Sequence, residues 1–153
     1  MGNKKNKRPS QQTVVKVNKN PKNIVDPDTW KDKTPVWVFS KHDKEHDRWS
    51  CKYCDNFYEK IILKLSDFEG MTWKEITRQT HDNGSSSNHF INIDSLSHEA
   101  QKRLYTMKIF IDQIFSLRLN NKVRLIGILE NGTFRILWYD ENHEICPSKK
   151  KHT

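Results

Sequence analysis

The dipeptide Asn131-Gly132, set between two apolar-rich runs, constrains this chain more than any other feature. A type I′ hairpin turn needs positive φ at both central residues, and Asn-Gly meets that need with little strain. Around it, residues 115–146 read FSLRLNNKVRLIGILENGTFRILWYDENHEIC, with an earlier break at Asn120-Asn121. The pattern predicts three antiparallel strands, roughly 113–119, 122–130 and 133–140. The hairpin also fixes a register. Leu129 faces Phe134, Gly127 faces Ile136 and Leu125 faces Trp138, an apolar face that helices must cover. On the other face Ile128 opposes Arg135, Ile126 opposes Leu137, and Arg124 opposes Tyr139. Two guanidinium groups and a phenol over an apolar floor suit an anionic ligand. Solvated arginines on an open sheet are the plain alternative.

The length of 153 residues suits one domain with extensions. The net charge of +8 is uneven, for residues 1–35 carry nine Lys/Arg against three Asp/Glu, and Lys149, Lys150 and Lys151 follow the last strand. We read residues 1–34 as a disordered basic arm, 35–148 as a single α+β domain and 149–153 as a basic tail. Such ends suit RNA or an acidic protein, and equally serve only to keep a chain soluble. Neither a secretory signal nor a membrane-spanning apolar run is expected, and three cysteines point to reduced thiols in a cytoplasmic setting.

Ordered structure is expected to start at the strand-like run 35–39. Next, His42, His46, Cys51 and Cys54 form an H-x3-H-x4-C-x2-C pattern, a candidate zinc site whose short connector argues for an ordinary polar loop instead. Residues 55–69 have helical periodicity, with Phe57, Ile61, Leu65 and Phe68 on one face and Gly70 as the stop. Thr72 and Glu75 form a capping box for a second helix to Gln79, which places Trp73 and Ile76 in the core. Residues 80–88 read as a flexible loop flanked by His81 and His89, which are simplest as exposed loop histidines. A short extended run, 89–93, precedes a third helix reaching about residue 107, with Ala100, Leu104 and Met107 inward and Lys102 and Arg103 solvated. P-loop, G-x-G-x-x-G, H-E-x-x-H and G-x-S-x-G motifs are absent, which removes most nucleotide enzymes, zincins and α/β-hydrolases.

Two or three helices followed by an antiparallel meander resemble the RelE/ParE-type toxin superfamily. The resemblance rests on Leu117-Arg118-Leu119, the turn at Asn120-Asn121, Arg124, the Asn131-Gly132 hairpin and the segment Asn142–Cys146. It covers about 35 residues. Phrases such as LWYDENHEICPS also look like those of an uncharacterised small bacterial protein family. Departures are visible: Cys146 stands where ribonuclease members carry a terminal Tyr, His143 where they carry Arg, and Phe115-Ser116 where a lysine pair is common. The resemblance implies a metal-independent RNA endonuclease, of mRNA above all, in a toxin–antitoxin or defence system. It also implies an antitoxin partner and the ribosome as a place of action.

Attack by a 2′-hydroxyl needs a base, an acid and a cation. Arg124, His143 and Tyr139 are the catalytic candidates, and Arg118, Arg135, Lys149 and Lys150 the RNA-binding ones. Arg118 falls on the covered face if Asn120-Asn121 is a two-residue turn, and a bulge reverses that. No cofactor is required by this chemistry. The alternative is a non-catalytic module, including a gyrase-type toxin, that binds nucleic acid or protein through the same sheet and tails.

Overall fold

The computed structural model describes residues 27–148. The expected arm lies mostly outside them, and the tail with Lys149 and Lys150 lies wholly outside. The fold is α+β, built on one five-stranded mixed sheet. In chain order the elements are β1 (Val36–Val38), α1 (Leu63–Glu69, entered through a π turn at Tyr58–Ile62), α2 (Trp73–Arg78), β2 (His89–Asn92), α3 (His98–Thr106), β3 (Gln113–Arg118), β4 (Arg124–Glu130) and β5 (Thr133–Asp140). The order across the sheet is β1-β5-β4-β3-β2. The predicted meander is its antiparallel centre; β2 adds antiparallel to β3, and β1 adds parallel to β5.

Packing starts before Pro35. Thr29–Asp32 form a 3-10 turn, and Trp30 meets Trp73 edge to face at 6.3 Å. The capping box of α2 is present in both directions: Glu75 donates its amide to Thr72 Oγ1, and Thr72 donates its own to Glu75 Oε2. Trp73 is fully buried, and its Nε1–H donates to the Gly132 carbonyl at 2.8 Å, so one helix is tied to the hairpin turn.

That turn has the expected form, with φ of 50° at Asn131 and 85° at Gly132. The predicted register holds for Leu129–Phe134, Ile128–Arg135 and Gly127–Ile136 and then shifts by one residue. Leu137 is the extra residue of a β-bulge, so Ile126 opposes Trp138, Leu125 opposes Tyr139, and Arg124 opposes Asp140. Because side chains alternate with period two, the bulge exchanges the faces of Trp138 and Tyr139. Tyr139 joins Leu125 and Phe134 under α1 and α2. Trp138 and Leu137 both join Ile126 under α3.

Gly127 sits at the bulge. A Cβ there would overlap the Arg135 carbonyl oxygen and lie 2.9 Å from its carbon, both backbone atoms of the paired strand. Gly127→Ala should therefore destabilise the protein by about 3 kcal/mol, the upper end for overpacking. Urea unfolding of the variant against wild type measures it, and an unchanged midpoint would show that the strands separate freely.

The second sheet face is not open, as the register alone suggested. Helix α3 and Trp49 cover much of it with a core of their own, which includes Leu96, Ala100, Leu104 and Ile145. Arg103 is not a solvated residue either, for it pairs with buried Asp43 at 2.7 Å. What remains uncovered, towards β2 and the ends of β4 and β5, is a cleft.

Candidate functional site

The cleft has a volume of about 660 Å³, with Ser116 and Ile126 among its lining residues and Arg124, His143, His89 and His81 around them. Two turns and one long-range strand pairing bring these side chains together. The β3–β4 loop carries three residues rather than two: Leu119 donates to the Val123 carbonyl, and Asn120 Oδ1 accepts the amides of Lys122 and Val123. This side-chain-built turn sets Arg118 directly opposite Arg124. Pairing of β2 with β3 sets His89 opposite Ser116. Beyond β5 the chain folds back. Asp140, 1% exposed, accepts the amides of Glu144 and Ile145 at 2.9 Å each. Between them His143 takes the left-handed conformation, φ 59°.

The electrostatics of the cleft are unusual. Two arginines face one another across neighbouring strands, an arrangement that costs stability. Arg118 donates from Nε to the Asn120 carbonyl at 3.0 Å, and Arg124 donates from Nη1 to the same oxygen at 2.9 Å. Among the described residues no carboxylate lies within ion-pairing distance of either guanidinium. Arg124 opposes Asp140 in the ladder, yet that carboxylate is turned to the two amides.

The histidines respond to this field. Burial lowers the pKa of His143, and Arg124, Arg118 and His89 lower it further against the opposing pull of Asp140. Burial likewise lowers that of His89, helped by Arg124 and His81, while the contact of its Nδ1 with the Ser86 carbonyl at 3.2 Å works the other way. Both rings are therefore held towards the neutral form, able to accept a proton, beside cations that lack counter-ions. An anion placed between them would relieve the repulsion and raise both pKa values.

The predicted site residues divide sharply. Arg124 and His143 come together, with Arg118 beside them. Tyr139 does not: the bulge turns it to the opposite face, where it is 1% exposed beside Cys54, and burial drives its phenol well above the usual range. Arg135 lies outside the cleft lining and pairs with Glu130 at 3.2 Å. His89 was legible only as a residue flanking a loop, because nothing local in the sequence announces the pairing of β2 with β3.

The four candidate zinc ligands do not gather. Cys51 and Cys54 are in the core under α1, and burial pushes the Cys51 thiol up to about 11. His42 Nδ1 meets the Phe39 carbonyl at 2.6 Å. His46 instead lies beside Asp47 and Glu99. Its Nδ1 accepts the amides of Arg48 and Trp49, and its Nε2 meets Glu99 at 3.1 Å, so hydrogen bonding already engages both ring nitrogens. Among the described residues no helix is long and apolar enough to cross a membrane. No protein-family model, curated protein or solved structure matches the chain.

Proposed function

We propose that this protein is a RelE-like toxin, a cytoplasmic RNA endonuclease that cleaves by 2′-hydroxyl attack without a metal, with an antitoxin as its protein partner. The observation that carries the reading is the meeting of two arginines without carboxylate partners, the half-buried His143 and the more exposed His89 in one cleft. Arg124 and Arg118 hold the scissile phosphate and take up the charge of the phosphorane. His143 accepts the proton of the 2′-hydroxyl as that oxygen bonds to phosphorus. The bond to the 5′-oxygen breaks, and protonated His89 supplies its proton. The products are a 2′,3′-cyclic phosphate and a free 5′-hydroxyl. His89, rather than the buried catalytic candidate Tyr139, thus supplies the acid.

The test uses the full chain, a fluorescent RNA and EDTA. Cleavage with cyclic-phosphate ends is expected, and the same RNA with a 2′-deoxy residue at the cut site should resist. Because one ring must be protonated and the other not, and both pKa values are lowered from 6.5, kcat/KM should peak on the acid side of 6.5. Tight, salt-sensitive RNA binding with intact strands would instead support the binding-module alternative.

A further inference from the structure

We infer that Asp140 is a positioning residue for His143: its buried carboxylate folds residues 141–145 into a strap and so fixes where the imidazole stands over the cleft. The functional consequence rests on the ribonuclease reading above, but the geometry does not. Both carboxylate oxygens are used, Oδ1 for the Glu144 amide and Oδ2 for that of Ile145. Among the described residues no cation lies within ion-pairing distance of Asp140. Burying an unpaired carboxylate is costly unless hydrogen bonds satisfy it, and here the strap supplies them. In return the carboxylate closes a turn in which His143 holds φ of 59°. A side chain other than glycine keeps that conformation only where its surroundings impose it.

Other ties on the strap are weaker or lie past the histidine. Glu144 meets Arg48 at 3.1 Å, with side chains 39% and 46% exposed, and Glu141 meets Lys60 at 3.1 Å, with side chains 47% and 31% exposed. Such pairs contribute about 0–1 kcal/mol each. The Ile145 carbonyl accepts the Ser97 amide at 2.8 Å, which anchors the far end of the strap without setting the turn before it. The charged groups acting on His143 come from every neighbouring strand: His89 on β2, Arg118 on β3, Arg124 on β4 and Asp140 on β5. Glu144, its chain neighbour, is turned to Arg48 and Trp49.

Two effects of Asp140→Asn therefore oppose each other, and their sign discriminates. Loss of charge alone would lower the His143 pKa further. Loss of the strap would hydrate the ring and raise it, because burial is the largest cause of its depression. The imidazole C–H resonance of His143, assigned with His143→Gln, can be titrated by NMR in the full chain. The expected result in Asp140→Asn is a higher midpoint for His143, moved back towards 6.5. A midpoint that falls or stays overturns the inference.

A second measurement needs no variant. In the wild type the amides of Glu144 and Ile145 should exchange with solvent at least about 100-fold more slowly than that of Asn142 in the same strap. Equal rates would equally overturn the inference. With RNA, Asp140→Asn should lower kcat with little change in KM and a shifted pH profile, and Asp140→Glu should restore part of the loss. If the chain cleaves no RNA, titration and exchange still decide the strap, so the two readings fail separately.

Discussion

Arg124→Ala is expected to slow RNA cleavage by about 10²–10³-fold, the usual cost of removing one preorganised donor for transition-state charge. The guanidinium stands between Arg118 and Asp140 on the sheet and lines the cleft. Its hydrogen bonds go to backbone carbonyls of the β3–β4 loop, at Asn120, Asn121 and Val123. Removing it leaves no buried carboxylate unpaired and takes away the repulsion with Arg118. The melting temperature should therefore hold or rise slightly while activity collapses, a combination that a misfolded variant cannot give. Arg124 also lowers the pKa of both His143 and His89, so the residual activity should peak at higher pH than wild type. His143→Ala should cost about 10²–10⁴-fold, as expected for a proton-transfer group. Single-turnover cleavage of one RNA across a range of pH by wild type and both variants measures the two rate losses and the pH shift, and thermal melting of Arg124→Ala measures the fourth effect. Wild-type rates in both variants would remove these residues from the mechanism.

How much of this was legible in the sequence depends on the range of the interaction involved. The Asn131-Gly132 turn, the capping box at Thr72–Glu75 and the helical face around Leu65 and Phe68 are local, and all three stand as read. The bulge at Leu137 is not local. It arises where Gly127 lets the two backbones approach and where Leu137 and Trp138 both find apolar cover beneath α3. One inserted residue was enough to remove Tyr139 from the cleft and put Asp140 in its place opposite Arg124. The β3–β4 turn failed for a related reason: Asn120 supplies a side-chain acceptor that closes a three-residue loop, so Arg118 shares the face of Arg124. His89 needed knowledge of a strand pairing that spans more than twenty residues. Arg124 and His143 were placed together correctly because each sits near a turn or at a chain reversal, where composition restricts the backbone. At His42, His46, Cys51 and Cys54 the ligand-like spacing does not bring the side chains together, in keeping with the short connector. The two cysteines bracket a 3-10 turn and both face the apolar core, while His46 turns to α3.

The largest loss of stability is expected at Asp43, whose carboxylate joins the loop before Trp49 to both α3 and β5. The side chain is 1% exposed. It accepts Arg103 Nε and Nη2 at 2.7 Å each, Trp138 Nε1 at 3.0 Å, and the amides of Glu45 and His46 at 3.1 Å. Its own amide donates to the carbonyl of the bulged Leu137 at 2.9 Å. Asp43→Ala leaves a half-covered guanidinium, a buried indole N–H and two amides without their acceptor. Breaking a buried pair in this way costs about 3–5 kcal/mol. Asp43→Asn keeps the shape and one acceptor oxygen and should lose less. Burial alone would raise the pKa of this carboxyl, but Arg103, Trp138 and the two amides outweigh it and hold it well below 3.8. The sign follows from linkage: the unfolded chain binds the proton more readily than the folded one. The contribution is fully present above about pH 5 and is lost as pH falls through and below the unfolded value near 3.9. Urea unfolding from pH 7 to pH 3 should therefore show the gap between wild type and Asp43→Ala narrowing only below about pH 4. A gap that is constant over that range would mean the carboxylate is no better solvated in the fold than in water, and that the join between α3 and the bulge rests on apolar packing alone.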